Sequence, residues 1–305
     1  MIPTTILLCL VGFFVASNYQ QLYSWWAVRQ ETKRLGEQAL IASFRSHKTI
    51  QLEDDFRESL SQDVWKLVLI NGAGKVCNGT SWHVTALNVQ DGLTISHFPD
   101  PDFANESSNM WQSPAAERYN NITVITKGGF FPTPAKDIVL SFSMRASANF
   151  WGTAGVVFQL ENTIGKDGIF RKPFTMFGVS VVGEESSVFG HNGPLCYLAL
   201  NWLPTCVQSM GIDTHAWHNY EICLRWISPT EWVGVVFVDG EQACPAVFMP
   251  ALGPLEVHLW SDSYCVVNKP RQWWQIGPSM DLKFQDGGEK QFMIRNIRLS
   301  DETRL

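Results

Sequence analysis

The chain has 305 residues, 45% of them apolar and only 17% charged, which is enough to bury a substantial core and excludes a disordered chain. Its net charge of −6, with no run of Lys and Arg interleaved with aromatics, excludes the electropositive field that nucleic-acid binding needs. The 13 Trp and 19 Phe supply either a large core or a binding face of exposed rings.

Residues Ile2 to Ser17 carry no charge, and the uncharged stretch extends to Val28, about the length that spans a bilayer as helix. Tyr23, Trp25 and Trp26 sit where interfacial aromatics are found, and Arg29, Lys33 and Arg34 follow at headgroup level. Residues 1–28 are therefore read as an uncleaved single-pass anchor. A signal peptide cleaved after Val15-Ala16-Ser17 stays open, although no Lys or Arg precedes the apolar run. Residues 29–50, rich in Glu, Lys, Arg, Gln, Ala and Leu, are read as a helical stalk or linker. Those cations would hold the body in the cytoplasm by the positive-inside bias. The sequons at Asn78, Asn105 and Asn121 favour a lumenal or extracellular body, and that side is the expectation.

Residues 51–305 are read as one domain. Short runs of alternating apolar and polar residues are separated by Gly, Pro, Asn and Asp, the pattern of an all-β sandwich or barrel. The clearest strands are 138–146, 153–160, 174–182, 196–202, 218–226, 231–238, 255–264 and 292–299. Ser228-Pro229-Thr230 predicts a turn between two of them. Of the seven cysteines, Cys9 falls in the anchor and Cys77, Cys196, Cys206, Cys223, Cys244 and Cys265 in the body. The even number there permits disulfides, with Cys196 and Cys206 close enough to shut a loop, while buried thiols are the alternative. No Cys or His pair has zinc spacing, and no P-loop, G-x-G-x-x-G or G-x-S-x-G unit occurs, so neither a metal nor a nucleotide cofactor is expected.

Three stretches carry a family likeness. They are Leu52-Glu53-Asp54-Asp55-Phe56 with Val64-Trp65-Lys66, then Trp217 to Ile222 with Val236-Phe237-Val238-Asp239-Gly240, and Met144-Arg145-Ala146 with Asn149 to Gly155. Taken in chain order, over roughly Leu52 to Leu299, they resemble the concanavalin A-like lectin and glucanase superfamily, including family 16 glycoside hydrolase-like domains. The resemblance implies a two-sheet antiparallel jelly roll with a saccharide groove on its concave sheet. Family 16 hydrolases place three acids as E-x-D-x-x-E on one strand, and the chain is read as lacking that arrangement.

Candidate site residues follow from period-two spacing. Glu256, His258, Trp260, Asp262 and Tyr264 share one face of their strand, with Leu255, Val257, Leu259, Ser261 and Ser263 on the other. Rings stack on the apolar side of a pyranose while carboxylates accept from its hydroxyls, so this face suits a sugar; a solvated strand face is the plainer alternative. Gln159 and Glu161 share a face of the strand at 153–160, and Trp151 and Trp202 stand at strand ends where loops frame a groove. The leading expectation is a membrane-anchored protein that binds a carbohydrate. The rivals are an enzyme on the same scaffold, either a divergent glycoside hydrolase or a cyclase or isomerase of a hydrophobic small molecule, and an interaction scaffold with no ligand. If it is an enzyme, His258, Asp262 and Glu161 are the catalytic candidates.

Overall fold

The computed structural model describes residues 48–57, 59–71, 85–97, 107–109, 120–148, 150, 152–161, 175–183, 193–200, 203–262, 265–268, 280–283 and 289–303. The anchor at 2–28 and most of the stalk lie outside them. Every regular element described is a strand, and among the described residues no helix is long and apolar enough to cross a membrane. In chain order the strands are β1 Lys48–Asp54, β2 Trp65–Asn71, β3 Thr85–Val89, β4 Leu93–His97, β5 Ser107–Asn109, β6 Asn120–Thr126, β7 Lys136–Ala146, β8 Thr153–Leu160, β9 Thr175–Val182 and β10 Gly193–Leu200. There follow β11 Leu203–Ser209, β12 His218–Ser228, β13 Glu231–Val238, β14 Glu241–Gln242, β15 Val247–Pro250, β16 Leu255–Asp262, β17 Cys265–Asn268, β18 Met280–Lys283 and β19 Lys290–Thr303. β1 starts at Lys48, inside the stretch 29–50 read as stalk.

Two antiparallel sheets make a sandwich. A nine-stranded sheet runs β14-β13-β12-β7-β19-β4-β3, with β1 on β19 and β15 on β13, and a seven-stranded sheet runs β11-β10-β9-β8-β16-β6-β2. β17, β18 and β5 form a small third sheet. The core lies between the two large sheets, because alternate residues of each strand turn inward: Leu140, Phe142 and Met144 of β7 and Tyr220, Ile222 and Leu224 of β12 meet Val156 and Phe158 of β8 and Leu255, Val257 and Leu259 of β16. The sheets approach closely at Gly234, where an added Cβ would stand 2.3 Å from the Phe177 ring of the opposite sheet.

Two of the stretches that carry the family likeness contain turns held by an aspartate. One Asp54 carboxylate accepts from the Phe56 backbone N–H at 2.8 Å and from the Trp65 indole N–H at 2.8 Å. Phe56 takes a left-handed φ of 53° and buries its ring 5.9 Å from that of Trp65. In the second stretch Asp239 and Gly240, with φ of 50° and 85°, make the mirror-image turn that suits a hairpin. The Asp239 carboxylate also meets the Asn219 backbone N–H at 2.9 Å and His218 Nδ1 at 2.6 Å. These bonds hold its pKa below the ordinary carboxylate value. His218 is thus a structural partner of the turn. Cys196 stands against Cys244 in the core, sulfur to sulfur at 2.8 Å, and both are free thiols, as is Cys206; the buried-thiol alternative holds for Cys196 and Cys244, and the loop closure that the spacing permits between Cys196 and Cys206 is not made. In register Cys206 faces Leu198, while Cys196 reaches the other sheet.

Candidate functional site

β16 sits in the middle of the seven-stranded sheet, between β8 and β6. Its inward set, Leu255, Val257 and Leu259, is core, so strand alternation turns Glu256, His258, Trp260 and Asp262 to the outer face together. On that face Glu256 stands opposite Gln159 of β8, His258 lies between Val157 and Ile125, and Trp260 lies between Gly155 and Thr123. This is not a solvated face: Glu256, His258, Asp262 and Gln159 are all nearly inaccessible, and only Trp260 is half-buried.

The face divides into two polar ends with an aromatic middle. At one end Lys66 reaches from β2 across Ile125 and places Nζ 2.5 Å from Glu256 Oε1. His258 Nε2 lies 3.5 Å from Glu256 Oε2 and, among the described residues, makes no hydrogen bond, nor does the neighbouring Gln159 Nε2, although both are buried. In the middle, the Trp260 indole lies on Gly155, where an added Cβ would stand 2.3 Å from the ring. The Tyr197 ring meets Trp260 nearly edge-on at 6.4 Å, and its hydroxyl donates to Met176 Sδ at 2.8 Å. At the far end the Asp262 carboxylate accepts from the Thr153 backbone N–H at 3.0 Å and from the Thr153 hydroxyl.

Burial and charge set the protonation states. Burial drives the His258 pKa below its ordinary value and outweighs the pull of Glu256. Burial alone would raise the Glu256 carboxyl, but the adjacent His258 and Lys66 together hold it below its usual value. A neutral imidazole beside an ionised carboxylate is therefore the resting state. His258 and Asp262, four residues apart on one strand, are about 13 Å apart along it, so no proton passes directly between them. Glu161 follows β8; its N–H donates to Pro254 O at 2.8 Å, and its carboxyl carbon lies 3.3 Å from where a Cβ on Gly129 would stand. It is thus a diagonal neighbour of Glu256, about 7–8 Å away between backbones.

Sequence reasoning missed Lys66, although Trp65 turning inward puts Lys66 outward by alternation. It also missed the polar cluster behind the strand. Ser261 turns inward with Oγ 3.0 Å from His97 Nε2, and the buried Lys290 donates to the Asp262 carbonyl and lies 4.7 Å from the Phe150 ring. Burial, then the charge of Lys290, drive the His97 pKa well down. Tyr264, Trp151, Trp202, Asn78 and Asn105 lie outside the described residues. Within the described residues, no group of three or more His, Cys, Asp or Glu is placed to hold a metal ion.

One stretch, Glu53-Asp54-Asp55-Phe56-Arg57-Glu58, does have the letter spacing E-x-D-x-x-E, which corrects the reading that the chain lacks it. The spacing makes no site. β1 ends at Asp54, Phe56 breaks the extended backbone, Glu53 pairs with Arg298 and Asp55 with Arg57 in the open, and the strand belongs to the nine-stranded sheet.

No family model matches the chain, and no curated protein matches it. Solved structures do. The endo-1,3-β-glucanase of Streptomyces sioyaensis is similar over 84% of this chain and 97% of its own, at 12% identity and a TM-score of 0.50. A family 16 glycosyl hydrolase protein of Mycobacterium smegmatis aligns over 82% of this chain and 100% of its own at 9% identity and a TM-score of 0.43. The Bauhinia forficata lectin in complex with GalNAc aligns over 84% and 99% at 9% identity and a TM-score of 0.43. The fold is the concanavalin A-like jelly roll that the three stretches resemble.

Proposed function

We propose that the outer face of the seven-stranded sheet binds a saccharide, in a protein tethered to a membrane by residues 2–28. The observation that supports it best is the half-buried Trp260 ring laid on Gly155, with Tyr197 at its edge and the Lys66, Glu256 and His258 array beside it. An indole offers a pyranose its apolar platform, and donors and acceptors fixed at one end of that platform select among hydroxyl patterns. The test is a glycan array followed by calorimetry on the full-length protein. A saccharide that binds, and binds about ten- to a hundredfold more weakly to Trp260→Ala, supports the reading. An array with no binder, or affinity indifferent to Trp260, sinks it.

A second reading, an acid–base enzyme on the same face, is favoured by the neutral His258 held against an ionised Glu256. Release of new reducing ends from the bound saccharide, lost in His258→Asn, would carry it. Binding without turnover leaves the first reading.

The body is placed on the lumenal or extracellular side, a reading supported by the sequons at Asn78 and Asn105. Full-length protein made in eukaryotic cells is expected to gain mobility on endoglycosidase treatment, and Asn78→Gln with Asn105→Gln to abolish the gain. Treated and untreated protein running alike, with the body open to cytoplasmic protease, would reverse the orientation.

A further inference from the structure

On the opposite side of the molecule, the outer face of the nine-stranded sheet holds a second cluster that the saccharide reading does not use. Arg145 of β7 and Arg295 of β19 lie on adjacent strands, in register with Met293 and Ser143 respectively, and so are diagonal neighbours on one face. Both guanidiniums lie over the indole of Trp217, which precedes β12, with centroid distances of 5.0 Å for Arg145 and 4.1 Å for Arg295. All three side chains are half-buried.

What sets the pair apart is the missing counter-charge. The other described arginines each have a carboxylate: Arg57 has Asp55, Arg225 has Asp137 and Arg298 has Glu53. Among the described residues Arg145 and Arg295 have none. The Arg145 Nε–H is spent on Met293 Sδ at 3.3 Å, a weak acceptor, and Arg295 Nε is buried without any partner. Glu221 stands on the same face of β12 and pairs with neither. Two like charges side by side repel, and the face of one indole returns only part of that cost.

We propose that Arg145, Arg295 and Trp217 form a second binding site that takes an oxyanion group, a sulfate or a carboxylate. The guanidinium fork matches both geometries with paired N–H donors, and the indole edge gives the carrier of the group an apolar surface. The group is either a free ion or a substituent of an acidic sugar, and the two sources have different signatures.

The test is calorimetric titration of the full-length protein with sodium sulfate, galactose 6-sulfate, galacturonate and, as the uncharged control, galactose. Binding of at least one charged probe is expected, weakened by added chloride and reduced tenfold or more in Arg295→Gln and in Arg145→Gln. Arg295→Lys, which keeps the charge and loses the fork, is expected to fall between. Galactose 6-sulfate or galacturonate binding more tightly than sulfate assigns the site to an acidic sugar, and equal affinity assigns it to the free ion. If no charged probe binds, or if the Gln variants bind as the parent does, the proposal is overturned. Sulfate has no ring face to stack on the indole of the saccharide face, so its affinity reads this site by itself and separates failure here from failure of the saccharide face.

Discussion

Asp54 shows how one short side chain organises a neighbourhood. It serves the backbone N–H of Phe56, a bulky residue in the left-handed region, and the indole N–H of a fully buried Trp65. That conformation costs about 1 kcal/mol or more and persists only because the carboxylate and the buried ring hold it. Asp54→Ala leaves both donors with no acceptor and is expected to lower stability by about 2–3 kcal/mol, with Asp54→Asn falling between. Urea midpoints read this directly, and an Asp54→Ala midpoint equal to the parent's would show that the cap contributes nothing. The same residues explain what the family likeness could carry. Asp54, Phe56 and Trp65 in one stretch, Asp239 and Gly240 in another, and Arg145 in the third are held by scaffold geometry or lie on the nine-stranded sheet. The seven-stranded sheet's outer face was legible instead from the period-two order of Glu256, His258, Trp260 and Asp262. Gln159 was legible in the same way from its own strand, but Lys66 was not, because it arrives from β2 and the register between strands is not written in either of them.

Among the elements, the strands that could be read are those with a turn signal at each end, such as β8 and β13, whose limits the sequence reading matched. β2 escaped it because Trp65–Asn71 reads as a nearly continuous apolar run with no clear alternation. β19 hides a different device. Its inward residues are Phe292 and Ile294 before the irregularity at Arg295 to Arg298 and Ile297 and Leu299 after it, with Asn296 at a φ of 55° between. The switch from even to odd apolar positions is the sequence trace of that bulge. Element context also sorts the sequons. Asn121 stands in β6 with Ile70 of β2 on one side and Asp262 of β16 on the other, and the next two residues of its sequon are buried. Glycosylation suits a surface loop, so Asn121→Gln is expected to leave the endoglycosidase shift untouched. A smaller shift in that variant would mean that the sequon is modified before β6 enters the sheet.

At the scale of the whole molecule, the sandwich carries ionisable groups in places that most sandwiches fill with hydrocarbon. His97 lies inside, neutral and bonded to Ser261 with Lys290 beside it; His258 lies under the outer face against Glu256. Both imidazoles have folded-state pKa values below the unfolded one, so the unfolded chain binds more protons below about pH 6.5 and stability falls as pH falls. Glu256 adds to the trend in the same direction, since its depressed pKa gives stability that is present above the unfolded carboxyl value and lost as pH falls through the folded one. Nothing in this set favours the folded state in acid. Urea unfolding of the full-length protein at pH 7.5 and 5.5 is expected to show the lower stability at 5.5, each histidine contributing at most about 1.4 kcal/mol per pH unit. His97→Gln keeps an acceptor and a donor for Ser261 but cannot be protonated, and is expected to flatten that dependence even though its packing lowers stability at both pH values. A slope unchanged in His97→Gln and in His258→Asn would mean that neither imidazole is held neutral. The saccharide face would then gain a second cation, His258 beside Lys66, as pH falls through the ordinary imidazole value of about 6.5.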